Sequence, residues 1–217
     1  MKNVITIDGP SGSGKGTVAR ILARRLGYKY LDTGALYRAV AWKAREEQIG
    51  TDNEESLREL VKTIRIDFNG ERIFVDDRDI SSAIRTAEIG ELSSQVSARP
   101  AVREGLFAIQ RGLCLEGNVV IEGRDTGTTI FPETRNKFFL DAGLEERARR
   151  RYEELKIKDP AATMDSTIED IKKRDMRDSS RKTSPLKQTE DMIYIDSTGL
   201  SIDEVVEEVI THLRINN

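Results

Sequence analysis

Residues 3 to 26, NVITIDGPSGSGKGTVARILARRL, restrict the fold more than any other stretch of the chain. A short apolar run ends at Gly-Pro, and beyond the glycine loop Val18, Ile21, Leu22 and Leu26 return at helical spacing. A strand, a glycine-rich turn and a helix in this order aim backbone N–H groups at one point, where the helix dipole adds partial positive charge. Di- and triphosphates fit that geometry. Gly9, Pro10, Ser11, Gly12, Ser13, Gly14, Lys15, Gly16 and Thr17 almost match the phosphate-loop pattern G-x-x-x-x-G-K-[ST], with Lys15 expected to reach the β- and γ-phosphates. The departure is Gly16, which stands where a magnesium-holding Ser or Thr is usual; Thr17 offers a hydroxyl one position later. An ion that keeps several waters can then be held through water and by the phosphates themselves.

Three later runs, NVVIEG (118–123), NKFFLDA (136–142) and DMIYIDST (191–198), are each β-rich and followed by a helix-like segment. Strands alternating with helices argue for an α/β fold with a parallel sheet covered on both faces. The middle differs: IRIDFNGERIFVDDRDIS alternates apolar and polar residues around Asn69-Gly70, which reads as a hairpin inserted into the α/β core. A chain of 217 residues suits one domain, 1–217, with an insert over about 60–100. The segment RYEELKIKDPAATMDSTIED has few large apolar residues and contains Asp159-Pro160, so part of it reads as a loop over the sheet's edge.

Lys plus Arg number 35 against 38 Asp plus Glu, and aromatics make up 6%, so neither nucleic acid nor an anionic membrane is an expected partner. With one cysteine, Cys114, and one histidine, His212, the usual structural zinc patterns and catalytic triads have no residues to draw on. No run of 18 apolar residues and no signal-peptide core occur, which reads as a soluble, cytoplasmic chain.

Candidate residues for a second anion lie outside the glycine loop. In YLDTGALYRA, Asp32 or Thr33 can cap a helix, and Arg38 on the apolar run that follows needs a partner or a route to solvent. Gly123, Arg124 and Asp125 follow the strand NVVIEG, at the end where open α/β sheets bind ligands. In RDMRDSSR, Arg174, Asp178 and Arg181 stand at i, i+4 and i+7 of an expected helix over 166–182, hence on one face.

Taken in order, DGPSGSGKGT, LDTGALYR, IRTAEI, SSQVSARPAVR, EGRDTGT, FLDA with EERARRR, RDMRDSSR with SPL, and IDSTGLSIDEV resemble the bacterial cytidylate kinase family from about residue 4 to 210. The GKGT form also resembles that of other monophosphate kinases, so Gly16 marks a class rather than a defect. The resemblance implies a three-layer P-loop kinase fold with a parallel sheet, an inserted nucleoside-monophosphate-binding subdomain containing a β-hairpin, and a short lid over about 149–166. It implies ATP as phosphoryl donor, with its phosphates on Gly9 to Thr17, Lys15 at the transferred group, and Mg²⁺ held mainly by substrate phosphates and water, with no protein metal ligand. The acceptor, CMP or dCMP, would set its phosphate against Arg38, Arg124 and Arg181, its sugar near Arg174 and Asp178, and its base against Thr33, Ser94, Arg103 and Asp125. Thr33 is Ser in some members, which keeps the hydroxyl; Glu122 stands where many have Asp, which puts a direct metal contact from that position in doubt.

The chemistry agrees. Cytosine offers an N4 donor beside N3 and O2 acceptors, which a carboxylate such as Asp125 and a guanidinium such as Arg103 can read. Uracil inverts that edge, and a mismatched buried polar group costs roughly 1–3 kcal/mol, so the preference is expected to be real and incomplete. The nucleophile is a phosphate oxygen with a second pKa of about 6, so no general base is required. Arg149, Arg150 and Arg151 are candidates to close on ATP, with pairing to Glu145 and Glu146 as the alternative, and Arg150 is taken with Lys15, Arg124 and Arg181 as the catalytic set. A UMP, AMP or shikimate kinase is the nearest rival. A GTPase-like switch lacks its guanine-reading N-K-x-D, since Asn136-Lys137 is followed by Phe138-Phe139. A monomer is expected.

Overall fold

The computed structural model describes residues 3–157 and 159–214 and divides into two compact units, Met1–Leu31 with Glu116–Asn217, and Asp32–Leu115. The first unit is built on β1 (Val4–Asp8), whose five residues are all buried. With β2 (Lys29–Asp32), β6 (Val119–Gly123), β7 (Asn136–Asp141) and β8 (Ile193–Asp196) it forms a five-stranded parallel sheet in the order β2-β6-β1-β7-β8. The α/β P-loop fold expected from the sequence is thus present.

Alternation along β1 divides its work between the two faces of the sheet. Ile5 and Ile7 pack with Val18 and Leu22 of α1 (Lys15–Leu26) and with Val205, Val206 and Val209 of α8 (Ile202–Thr211). Thr6 and Asp8 point to the other face and are fully buried there. Such polar groups inside a sheet must be hydrogen-bonded, and both are: Thr6 to the Asn136 carbonyl, Asp8 to the segment after β6. That segment, Thr126–Ile130, is a π-helical turn closed by the Phe131 N–H on the Thr126 carbonyl at 2.8 Å.

The second unit carries α2 (Thr33–Glu46), α3 (Glu54–Thr63), α4 (Ala87–Val96) and α5 (Pro100–Leu113) around a core that includes Leu36, Leu57, Ile73, Ile84 and Leu106. Its antiparallel sheet has three strands, β3 (Ile66–Asn69), β4 (Arg72–Val75) and β5 (Arg78–Asp79). The expected hairpin is there with Gly70 at φ 62° as first central residue, the conformation a type II′ turn demands. A second turn follows at Asp76 (φ 49°) and Asp77 (φ 67°), both left-handed as in a type I′ turn. Alternation alone did not distinguish it, because Asp-Asp is a weak turn signal. Here Asp76 accepts from the Arg65 N–H at 3.2 Å and pairs with Lys43 at 2.9 Å, which holds the turn.

One local reading differs from expectation. The helix α7 (Met164–Ser179) carries Arg174 and Asp178, but Arg181 lies past its end, so the three do not share one helical face. Ser179 ends the helix by turning its hydroxyl back on the Asp175 and Met176 carbonyls at 2.7 and 3.3 Å. Part of the segment around Asp159-Pro160 is a loop, as expected: residues 159–163 lie outside helix, after α6 (Leu144–Lys156) and before the capping box of Thr163 and Ser166 that starts α7. Lys158, within the expected lid, lies outside the described residues.

Where α3 meets α5, a Cβ on Gly105 would lie 2.3 Å from Val61 Cγ1. Gly105→Ala gains roughly 1 kcal/mol of helix propensity, whereas overpacking costs about 1–3 kcal/mol, so a net loss of stability is expected. Urea unfolding of G105A, V61A and the double variant checks it; recovery in the double variant relative to the sum of the singles is the expected result.

Candidate active site

The phosphate loop leaves β1 at Asp8 and enters α1 at Lys15. Gly12 holds φ 79°, and a Cβ there would lie 2.7 Å from the Arg147 carbonyl, so no other residue fits between loop and α6. Lys15 is buried and donates to the Pro10 carbonyl at 2.8 Å. Arg147 donates to the Ser11 carbonyl at 3.0 Å and is itself held by Asp175 at 2.5 Å and by the Ala142 carbonyl at 2.9 Å. Arg150 donates to the Ser13 carbonyl at 3.3 Å and to Ser197 Oγ and O at 3.0 and 2.8 Å. A loop whose N–H groups are to face an anion must dispose of its carbonyls, and here cationic donors hold three of them.

This bears on the arginine run of α6. Arg149 pairs with Glu146 and Arg151 with Glu154 at the surface, whereas Arg150 joins Glu146 at 2.7 Å to the phosphate loop. Hydrogen bonds from Arg149 and then Arg150 hold the Glu146 carboxyl down at about 2. Arg147, Asp175 and Ser197 were not singled out in the sequence. Arg147 could have been, as part of EERARRR, but its place three residues before Arg150, on the same side of α6, becomes meaningful only once the loop's position is known.

Gly16 has a neighbour that explains its lack of a side chain. A Cβ there would lie 3.3 Å from Glu122 Oε1 and 3.6 Å from Tyr30 Oη. Glu122 is buried at the end of β6, and the space beside Gly16 that a Ser or Thr would fill faces its carboxylate. One carboxylate with several waters and phosphate oxygens is a donor set that suits Mg²⁺.

Of the expected acceptor residues, the first unit brings Arg124, Asp178 and Arg181 together. Arg124 Nε donates to Asp178 Oδ2 at 2.8 Å, and Arg181 pairs with Asp178 Oδ1. Asp178 is 2% exposed, so the two guanidinium groups share a desolvated carboxylate. Arg174 is half-buried one turn earlier on α7, and Asp125 is buried at the start of the π-helical turn.

The second unit holds the others. Asp32 caps α2 through Oδ1, accepting from the Ala35 N–H at 2.9 Å, and its Oδ2 receives Arg38 at 2.8 Å with Arg85 at 3.6 Å. Thr33 follows as the first, buried residue of the helix. Arg103 lies over the Tyr37 ring at 5.4 Å and donates to the Ser97 carbonyl at 3.0 Å; Ser94 is buried on α4. Arg85 was missed because it sits in a short turn, Ala83–Arg85, with no periodicity to mark which way it points.

Among the described residues no helix is long and apolar enough to cross a membrane. Cys114 is buried, and His212 ends α8 with Nδ1 against the Glu208 carbonyl, so neither belongs to this chemistry. What remains in the first unit is a cradle for the phosphates of a nucleotide, together with two arginines gathered on the buried Asp178, and the class it defines is that of the P-loop kinases. The cytidylate kinase family model matches residues 5–215, and the chain belongs to that family. It is 50% identical to a cytidylate kinase of Caldanaerobacter subterraneus subsp. tengcongensis, over 98% of this chain and 95% of that one. It is 48% identical to a cytidylate kinase of Geobacter sp. strain M21 (94% and 89% covered) and 45% identical to one of Pseudomonas savastanoi pv. phaseolicola (98% and 95% covered). A crystal structure of a protein from Eubacterium ventriosum shares the fold at a TM-score of 0.55 and 15% identity, over 97% of this chain and 98% of that one.

Burial pushes the Asp8 carboxyl up from 3.8 to about 6, partly offset by the Gly127 N–H, with the neighbouring Asp125 raising it further and the Thr126 donors lowering it. A group raised in the folded state favours folding in its protonated form, so its contribution is present near pH 4 and is lost as pH rises through 6. The stability of the wild type relative to Asp8→Asn should therefore fall by about 2 kcal/mol between pH 4 and 7, out of about 3 kcal/mol over the whole transition from below 3.8 to above 6. Urea unfolding at both pH values checks this; a pH-independent difference would place the Asp8 carboxyl in the ordinary range.

Proposed function

We infer that the chain transfers the γ-phosphoryl group of ATP to CMP or dCMP, giving ADP and CDP or dCDP, in the pyrimidine nucleotide metabolism of the cytoplasm, as a monomer. The observation that carries the reading is the combination of a phosphate loop with a buried Lys15 and a matched cytidylate kinase family model over nearly the whole chain.

In this reading Gly9 to Thr17 take the ATP phosphates and Lys15 leaves the Pro10 carbonyl for the transferred group. Arg38, Arg124 and Arg181 bind the acceptor phosphate, Arg174 and Asp178 its sugar, and Thr33, Ser94, Arg103 and Asp125 its base. Arg85 joins this set, since it shares the Asp32 carboxylate with Arg38. Glu122, beside Gly16, is the protein carboxylate that could accept from the waters of a Mg²⁺ ion; such an ion would be held mainly by water and the substrates' phosphates and would neutralise their charge. Arg150, already on the Ser13 carbonyl, is the lid-side arginine assigned to ATP, and the lid is taken as about 149–166 and the acceptor-binding insert as about 60–100.

The acceptor oxygen is ionised at neutral pH, so the protein's task is to align two polyanions and neutralise a loose transition state. Positioning and electrostatics accomplish this. Water must be kept out, or ATP would be hydrolysed.

Initial-rate ADP release with ATP and Mg²⁺ against CMP, dCMP, UMP, AMP and shikimate tests the reading. Strong turnover on CMP and dCMP, weak turnover on UMP and little without acceptor is expected; strong turnover on another acceptor would overturn it. Arg181→Ala should lower kcat/KM for CMP by about tenfold or more with little effect on ATP affinity. Near-normal CMP kinetics would remove Arg181 from the site.

A further inference from the structure

Asp8 has no part in the roles above, yet its carboxylate accepts three hydrogen bonds in the interior of the first unit. It is fully buried, and Oδ1 accepts from the Thr126 N–H at 2.9 Å and from the Thr126 hydroxyl at 2.8 Å, while Oδ2 accepts from the Gly127 N–H at 2.8 Å. In the β1–β6 ladder Asp8 is also the register partner of Gly123. Arg124 and Asp125 are the two residues between Gly123 and Thr126, so the loop that carries them runs from the strand partner of Asp8 to the residues that donate to its carboxylate. The residue after Asp8 is Gly9, the first of the phosphate loop.

We propose that Asp8 is a positioning residue, which ties the Arg124–Asp125 loop to the root of the phosphate loop and so sets where the acceptor nucleotide is read relative to where the phosphoryl group is held. The proposal rests on the cytidine monophosphate reading given above.

Three features favour positioning over packing alone. An Asn is nearly isosteric but has one acceptor oxygen, so it cannot receive donors on both sides of the carboxylate as Asp8 does. A buried carboxylate close to Asp125 is a poor choice for stability, since desolvation and like charge both oppose it, so retaining it here trades stability for geometry. The turn it grips has no slack: a Cβ on Gly127 would lie 2.8 Å from Thr6 Oγ1 and 3.0 Å from Met192 Cε. Freed of Asp8, the loop would shift as a piece and carry Arg124 and Asp125 with it.

The test uses the full chain and two variants outside the nucleotide-contacting set. Asp8→Asn removes the second acceptor oxygen, and Thr126→Val removes one of the three donors while keeping both amides. For a displacement of about an ångström, Asp8→Asn should lower kcat/KM for CMP by roughly tenfold to a hundredfold. The loss should appear mainly in the CMP KM and in a narrowed CMP-to-UMP ratio, with ATP binding changed by less than about threefold. Thr126→Val should move the same parameters in the same direction by a smaller factor. Lower Tm with unchanged CMP KM and unchanged CMP-to-UMP ratio in the variants would overturn the proposal. Should Asp8→Asn not fold, Thr126→Val alone decides by the same two readouts. Absence of CMP turnover in the wild type would instead strike the functional reading, which keeps the two failures apart.

Discussion

A loop that binds phosphate through its amides must turn its carbonyls away and neutralise them, and much of the first unit is arranged around that demand. Lys15, Arg147 and Arg150 hold the Pro10, Ser11 and Ser13 carbonyls. Two of these have a further consequence. Arg147 is held by Asp175, which brings α7 to the loop, and Arg150 is held by Ser197, which fixes the end of β8 there. The closeness of α6 then leaves room only for glycine at position 12.

Two pairs of arginines outside the loop share an aspartate, one pair in each unit. Arg124 and Arg181 meet on Asp178, and Arg38 and Arg85 on Asp32. Ion pairs on buried carboxylates such as Asp178 and Asp32 are weak contributors to stability, because desolvation offsets much of the attraction. They do hold guanidinium groups in place, which would lower the ordering cost of binding an anion there. In a chain of slight net negative charge, arginines concentrated on buried aspartates are better explained by a specific anion than by general attraction to polyanions.

The parts of this protein legible in the sequence were those set by local rules. The strand, glycine loop and helix from Val4 to Leu26, the later strands, and the hairpin with Gly70 at its tip follow from periodicity and turn chemistry. Arg124, Asp178 and Arg181 were gathered by sequence and do lie together, although Arg181 reaches Asp178 from beyond the helix end rather than along its face. Arg85, Arg147, Asp175 and Asp8 were not legible. Their partners lie far along the chain, 53 residues away for Arg85 and 118 for Asp8, and nothing in a local window marks such a pairing. The Asp-Asp turn at 76–77 escaped for a different reason: its left-handed backbone depends on Arg65 and Lys43, which lie outside the turn.

The central claim is that the protein directs the γ-phosphoryl group to a phosphate oxygen of a cytidine nucleotide and excludes water without a general base. Following the phosphorus by ³¹P NMR in a mixture of ATP, Mg²⁺ and CMP tests it directly. The account requires the γ-resonance of ATP to be replaced by the β-resonance of CDP, with inorganic phosphate staying at the level of an enzyme-free control. Inorganic phosphate accumulating in step with ADP, with no diphosphate of cytidine formed, would contradict it.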